Sequence, residues 1–167
     1  NLVMKFLTPF LILAFASLCQ SSAQEDAEPQ TVCVPAARDA VLFGEDLVDG
    51  VDRANGTGES ITVGAVQAGL FRRTLIAFDL EEFVPAGSVV TDAKLSFNLV
   101  EGTINPFLAI FRIQGGWAAG VTDPENELFG DFAQTGDPTS NFRVFNETDL
   151  ERRVAWQQPG GDFLIEQ

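Results

Sequence analysis

The chain has 167 residues, 24 of them acidic and 10 basic, for a formal net charge of −14, and it has neither histidine nor tyrosine. That balance excludes nucleic-acid backbones and anionic membrane surfaces as partners, because too few cations are present to neutralise a run of phosphates. The lack of histidine excludes a Ser-His-Asp triad, a Cys-His dyad and every histidine-containing zinc site, so any catalysis would rest on carboxylates, lysine or a cofactor.

Asn1–Val3 precede Met4, which reads as the true start. Lys5 supplies a positive end, Phe6 to Leu18 is an uncharged apolar run too short to span a bilayer, and Ser21-Ser22-Ala23 is a small-residue cleavage pattern. Residues 1–23 are therefore expected to be an export leader, with no membrane attachment after cleavage. Cys19 follows Leu18, where a lipid-attachment site requires a small residue. Residues 24–30 form an acidic linker, and residues 31–167 are expected to form one β-sandwich domain, a length sufficient for a sizeable core. After the leader only Cys33 remains, which excludes an internal disulfide and leaves either a small buried hydrophobe, the favoured reading, or a partner for an intermolecular bond.

Thr31–Val34 and Ala37–Phe43 read as the first strands. Residues 44–59 are rich in Gly, Asp and Asn and read as a surface loop, with Glu45, Asp46, Asp49 and Asp52 as a solvated acidic run whose spacing does not match an EF-hand. Residues 60–66 read as another strand. The strongest signal is Leu70–Leu80 followed by Val89–Val100. In the second run Ala93, Leu95, Phe97 and Leu99 alternate with Lys94, Ser96 and Asn98, the period of a half-buried antiparallel strand. Val84-Pro85-Ala86-Gly87 suits a type I turn, and the length of the connection suggests a crossing between sheets. Pro106–Gln114 and Phe142–Phe145 read as strands, residues 118–141 as loop, and Thr148–Gln157 as a helical turn with Thr148 and Glu151 as a capping box. Asp162–Ile165 begins a further strand, as expected of a chain whose last strands lie beyond residue 167. Short strands with Gly/Pro-rich joints define an all-β protein, an antiparallel β-sandwich of jelly-roll type.

The run Arg72-Arg73-Thr74-Leu75-Ile76-Ala77-Phe78-Asp79-Leu80, then Val84-Pro85-Ala86-Gly87-Ser88 and Val89-Val90-Thr91-Asp92-Ala93-Lys94-Leu95, resembles the DNRLRE domain family of bacterial secreted proteins. Trp117 with Gly120, and Trp156 with Pro159-Gly160-Gly161-Asp162-Phe163, resemble a subgroup of that family. The resemblance implies an exported jelly-roll module, non-catalytic and related to carbohydrate-binding modules.

The candidate ligand contacts are Trp117, Trp156 and Arg73, and the candidate calcium ligands are Asp39, Asp79 and Asp162. A flat tryptophan face suits a pyranose, although tryptophan in a sandwich is more often core. Arg72 and Arg73 point to opposite faces of their strand. One is expected to pair with a buried carboxylate such as Asp79, and the other to reach solvent. Glu81 and Glu82 are adjacent and form no glycosidase pair across a cleft. Three functions follow. The first is a secreted module binding polysaccharide at the cell surface or in the matrix. The second is a structural or adhesive matrix protein with protein partners, favoured by a bare strand edge or an exposed apolar patch. The third is a carboxylate-based polysaccharide-degrading enzyme.

Overall fold

The computed structural model describes residues 2–7, 28–44, 46–67, 70–102 and 108–164. The elements in chain order are β1 (Leu2–Leu7), β2 (Gln30–Val34), β3 (Arg38–Phe43), α1 (Asp46–Asp49), β4 (Arg53–Ala54), β5 (Gly64–Gln67), β6 (Leu70–Ala77), α2 (Leu80–Phe83), β7 (Val89–Leu95), β8 (Asp131–Phe132), β9 (Phe142–Val144) and β10 (Val154–Ala155), with a 3-10 turn at Leu150–Arg152. Every strand pairing is antiparallel, and both α-helices are single turns. The protein is all-β. Its described residues divide into two compact units, one within Asn1–Ala37 and Phe78–Val100, the other within Arg38–Ala77 and Glu101–Gln167.

In the second unit β6 lies centrally in a sheet ordered β3-β6-β5. The register runs from Arg38↔Ala77 to Phe43↔Arg72. The period of two then places Ala40, Leu42, Leu75 and Ala77 on one face and Val41, Phe43, Arg72 and Thr74 on the other. Trp117 and Trp156 pack against the first face with Ala40, Leu42 and Leu75. The second face is covered by irregular chain, with Thr74 Oγ1 donating to Thr62 O (2.8 Å) and Arg72 Nε to Leu128 O (3.0 Å), while at the outer edge of β3 Val41 N–H donates to Asn55 O (2.9 Å). Coverage on both faces explains why β6 is apolar on both sides. A smaller cluster joins Ala54, Ala133 and Phe145 beside the β4–β8 and β9–β10 pairs.

The loop read over residues 44–59 carries α1 and β4, and the strand expected at 60–66 begins only at Gly64. The capping box at Thr148 is replaced by Asp149, whose side chain accepts from Glu151 N–H and caps the three-residue 3-10 turn. The helix read to Gln157 stops at Arg152 because Val154 and Ala155 pair with β9 as β10. Of the strand read over 106–114, Pro106 and Phe107 lie outside the described residues, and the remainder contributes one bridge, Ile113↔Phe163. Ile165, at the end of the last expected strand, also lies outside them.

In the first unit the sheet order is β2-β1-β7. β1 pairs with β2 from Leu2↔Val34 and with β7 from Leu2↔Leu95. Since β1 is antiparallel to both, β2 and β7 run parallel to each other. β1 lies wholly within the segment read as a leader, whereas residues 8–27, which include the remainder of its apolar run and part of the linker, lie outside the described residues. A register shift between Lys5↔Asp92 and Phe6↔Val90 puts Val90 on the same face as Ala93 and Leu95. The connection from β6 closes with Ser88 N–H to Pro85 O (3.1 Å), and Gly87 has φ 82°. The turn is therefore Pro85–Ser88 with glycine in the third position, where a type II turn requires positive φ, and not the type I turn expected one residue earlier. The crossing expected here is present, since β6 and β7 belong to different sheets.

Candidate functional site

Trp117 and Trp156 are 6% and 5% exposed, so neither ring presents a face to a sugar. The Arg38 guanidinium lies 4.5 Å from the Trp117 ring centre, and Trp156 Nε1–H donates to Thr139 O at 2.8 Å. Of the two roles read for these rings, the structure places them in the core. Arg73 is half-buried. Its Nη1 donates to Gly160 O (2.8 Å), and its guanidinium stacks over Phe71 (4.6 Å) and Phe163 (5.0 Å). Burial lowers its pKa, and its contacts tie β6 to the C-terminal loop. Arg72 is the buried arginine of the pair, held over the Phe43 ring at 4.6 Å and bonded to Leu128 O. Asp79, the carboxylate expected beside it, is exposed at the start of α2 and makes no side-chain cap there.

The three candidate calcium ligands do not assemble into a site. Asp39 is half-buried on β3 opposite Ile76, and desolvation raises its pKa. Asp162 accepts from Gln158 N–H at 2.8 Å. Among the described residues no three acidic or cysteine side chains converge as metal ligands. Cys33 forms part of β2 as expected, but it is exposed rather than buried. A hollow lined by Ile110, Phe111, Arg112 and Leu164 holds no carboxylate.

Of the loop acids after β3, Asp46 is buried and Asp52 half-buried where a solvated run is expected, while Asp49 is exposed; Glu45 lies outside the described residues. Asp46 is 1% exposed, and its two oxygens take Arg53 N–H and Arg53 Nη1, both at 3.1 Å. Asp49 closes on the same guanidinium at 2.7 Å. Desolvation pushes the Asp46 carboxyl up to about 7 despite the opposing pull of Arg53. Asp52 accepts from Thr139 Oγ1 (2.8 Å) and Asn141 Nδ2 (3.0 Å).

The sequence reading passed over Asp137-Pro138-Thr139-Ser140, which is fully buried in a stretch read as loop. A buried loop must satisfy its polar groups internally. Asp137 accepts from Val121 N–H (2.5 Å), Thr122 N–H (3.1 Å), Thr122 Oγ1 (2.5 Å) and Gln134 N–H (2.7 Å). Ser140 Oγ donates to Phe43 O at 2.6 Å. Local pattern carries no signal for this burial, because Ser140 is bonded to Phe43 and Asp137 to Val121 and Thr122, all remote in sequence.

The surface that stands out lies in the first unit. β7 is the terminal strand of its sheet, and all its side chains are exposed except that of Leu95, which is half-buried. The alternation of Ala93, Leu95, Phe97 and Leu99 predicts a half-buried strand, yet the strand ends at Leu95 and its apolar side is not covered. Phe97, Leu99 and Val100 are 52%, 69% and 89% exposed. Both core clusters of the described residues lie in the other unit. The surface thus combines a strand edge with no neighbouring strand among the described residues and a run of apolar side chains in solvent. Strand edges and exposed apolar runs are features through which chains can associate, by strand addition and apolar burial.

Comparison with protein-family models, with curated proteins and with solved structures finds no match to this chain.

Proposed function

We propose that the chain is an exported, non-catalytic β module acting through protein–protein association, as a structural or adhesive component of an extracellular matrix. The observation that carries this reading is the exposed apolar run Phe97, Leu99 and Val100, set against tryptophan rings that are packed away. The acidic charge and the leader pattern support export. Resemblance to the DNRLRE family supports a jelly-roll sandwich for the all-β fold. The polysaccharide-binding reading loses its stacking platforms with Trp117 and Trp156 in the core.

Lys5 and Lys94 are the two lysines of the chain, so amine cross-linking reports directly on β7 once the leader is gone. The exported protein, cross-linked in its native matrix and analysed by mass spectrometry, is expected to yield protein adducts at Lys94 and to give no signal on a glycan array. Specific glycan binding with no protein adduct at Lys94 would overturn the proposal.

A further inference from the structure

We infer that Asn146 is a modification site, whose side-chain amide carries an N-linked oligosaccharide added during export. This rests on the export part of the reading above and goes beyond it.

The sequence holds two Asn-x-Thr motifs of the kind that receives N-linked sugar, Asn55-Gly56-Thr57 and Asn146-Glu147-Thr148, neither with proline in the middle. The fold treats them in opposite ways. Asn55 is 3% exposed and both ends of its amide are engaged: Nδ2 donates to Ser60 O at 3.3 Å, and Oδ1 accepts from Gly58 N–H at 3.1 Å. Beside it Gly56 is packed on Gly120 so closely that an added Cβ would lie 2.5 Å from Gly120 Cα. A sugar on Asn55 and this packing exclude each other. Asn146 lies two residues beyond β9, half-buried, and is followed by the exposed side chains of Glu147 and Thr148. Its Oδ1 accepts from Thr148 N–H (3.2 Å) and Asp149 N–H (2.7 Å). Two backbone donors fix which end of the amide is oxygen, so the nitrogen faces away from them. Among the described residues nothing accepts from Asn146 Nδ2–H, and this nitrogen is not buried. Thr148 Oγ1 sits 3.5 Å from Asn146 Oδ1, so the amide and the hydroxyl of the motif lie side by side at the surface. In the transfer, Asn146 Nδ2 attacks the anomeric carbon of an oligosaccharide carried on a lipid diphosphate. The nitrogen–carbon bond forms as the bond from that carbon to the diphosphate oxygen breaks. Nδ2 loses one proton, which balances the charge on the departing lipid diphosphate, and nothing is oxidised or reduced.

The test is mass spectrometry of the full chain recovered from the medium of eukaryotic cells, before and after enzymatic removal of N-linked sugars in heavy-oxygen water, which labels each asparagine that carried one. The intact chain is expected to lose the mass of one oligosaccharide, with the label at Asn146 and none at Asn55. Thr148→Ala removes the hydroxyl of the motif at an exposed position and is expected to abolish that loss. Thr148→Ser keeps the hydroxyl and is expected to retain it. Secreted chain with no label at Asn146, label at Asn55 in its place, or a mass loss unchanged by Thr148→Ala would each overturn the inference and leave export standing. Chain held inside the cells with residues 1–23 attached and no sugar would overturn the export reading as well.

Discussion

Replacing Asp46 with asparagine removes a carboxyl that the fold buries almost completely beside Arg53. Its ordinary pKa of 3.8 rises to about 7 in the folded chain, with desolvation the largest cause. The folded state therefore holds this proton more tightly than the unfolded state. The stability from the group is present in full below pH 3.8 and is lost as the pH rises through about 7. A difference of this size corresponds to about 4 kcal/mol across that window. An asparagine side chain at this position keeps the shape and one acceptor but does not titrate. Urea unfolding followed by the fluorescence of the buried tryptophans, at several pH values from 4 to 8, gives the difference between wild type and Asp46→Asn. Titrations elsewhere are common to both proteins and cancel. The variant is expected to gain on the wild type steadily as the pH rises, although it has lost an ion pair. A difference that stays flat with pH, or that runs in favour of the wild type at high pH, would show that the Arg53 contact outweighs desolvation.

Trp156→Ala should cost about 3–5 kcal/mol in urea unfolding, through the cavity it leaves against Leu42 and Leu75 and the lost bond to Thr139 O. An unchanged midpoint would return this ring to the surface. Asp137→Ala strips the acceptor from four donors of the buried loop and should cost at least about 3 kcal/mol; a loss below about 1 kcal/mol would contradict the role given to that carboxylate. Gly56→Ala would set a Cβ 2.5 Å from Gly120 Cα, where two backbone segments touch, and should destabilise by about 1–3 kcal/mol as overpacking. Thermal melting equal to wild type would show that the two segments can part without loss.

The strands β2, β3, β6, β7 and β9 were legible because alternation is a local property, set by each residue and its neighbours two positions away. Burial of one member of the Arg72–Arg73 pair was legible for the same reason: adjacent strand residues face opposite ways. The bulk of the candidate site was not legible in this way. Alternation in β7 shows which side chains share a face, but not whether anything covers that face, and here nothing among the described residues does.

Composition and periodicity by themselves determined the all-β class, the exclusion of histidine chemistry and the positions of the main strands. Only the tertiary structure decided that both tryptophans are core, that Asp46 is held in low dielectric against Arg53, and that Asp137–Ser140 is interior. The physical reason is range. Ser140 bonds Phe43 across 97 positions and Thr139 bonds Asp52 across 87, so what buries these groups is chain far removed in sequence, and no local pattern carries that information.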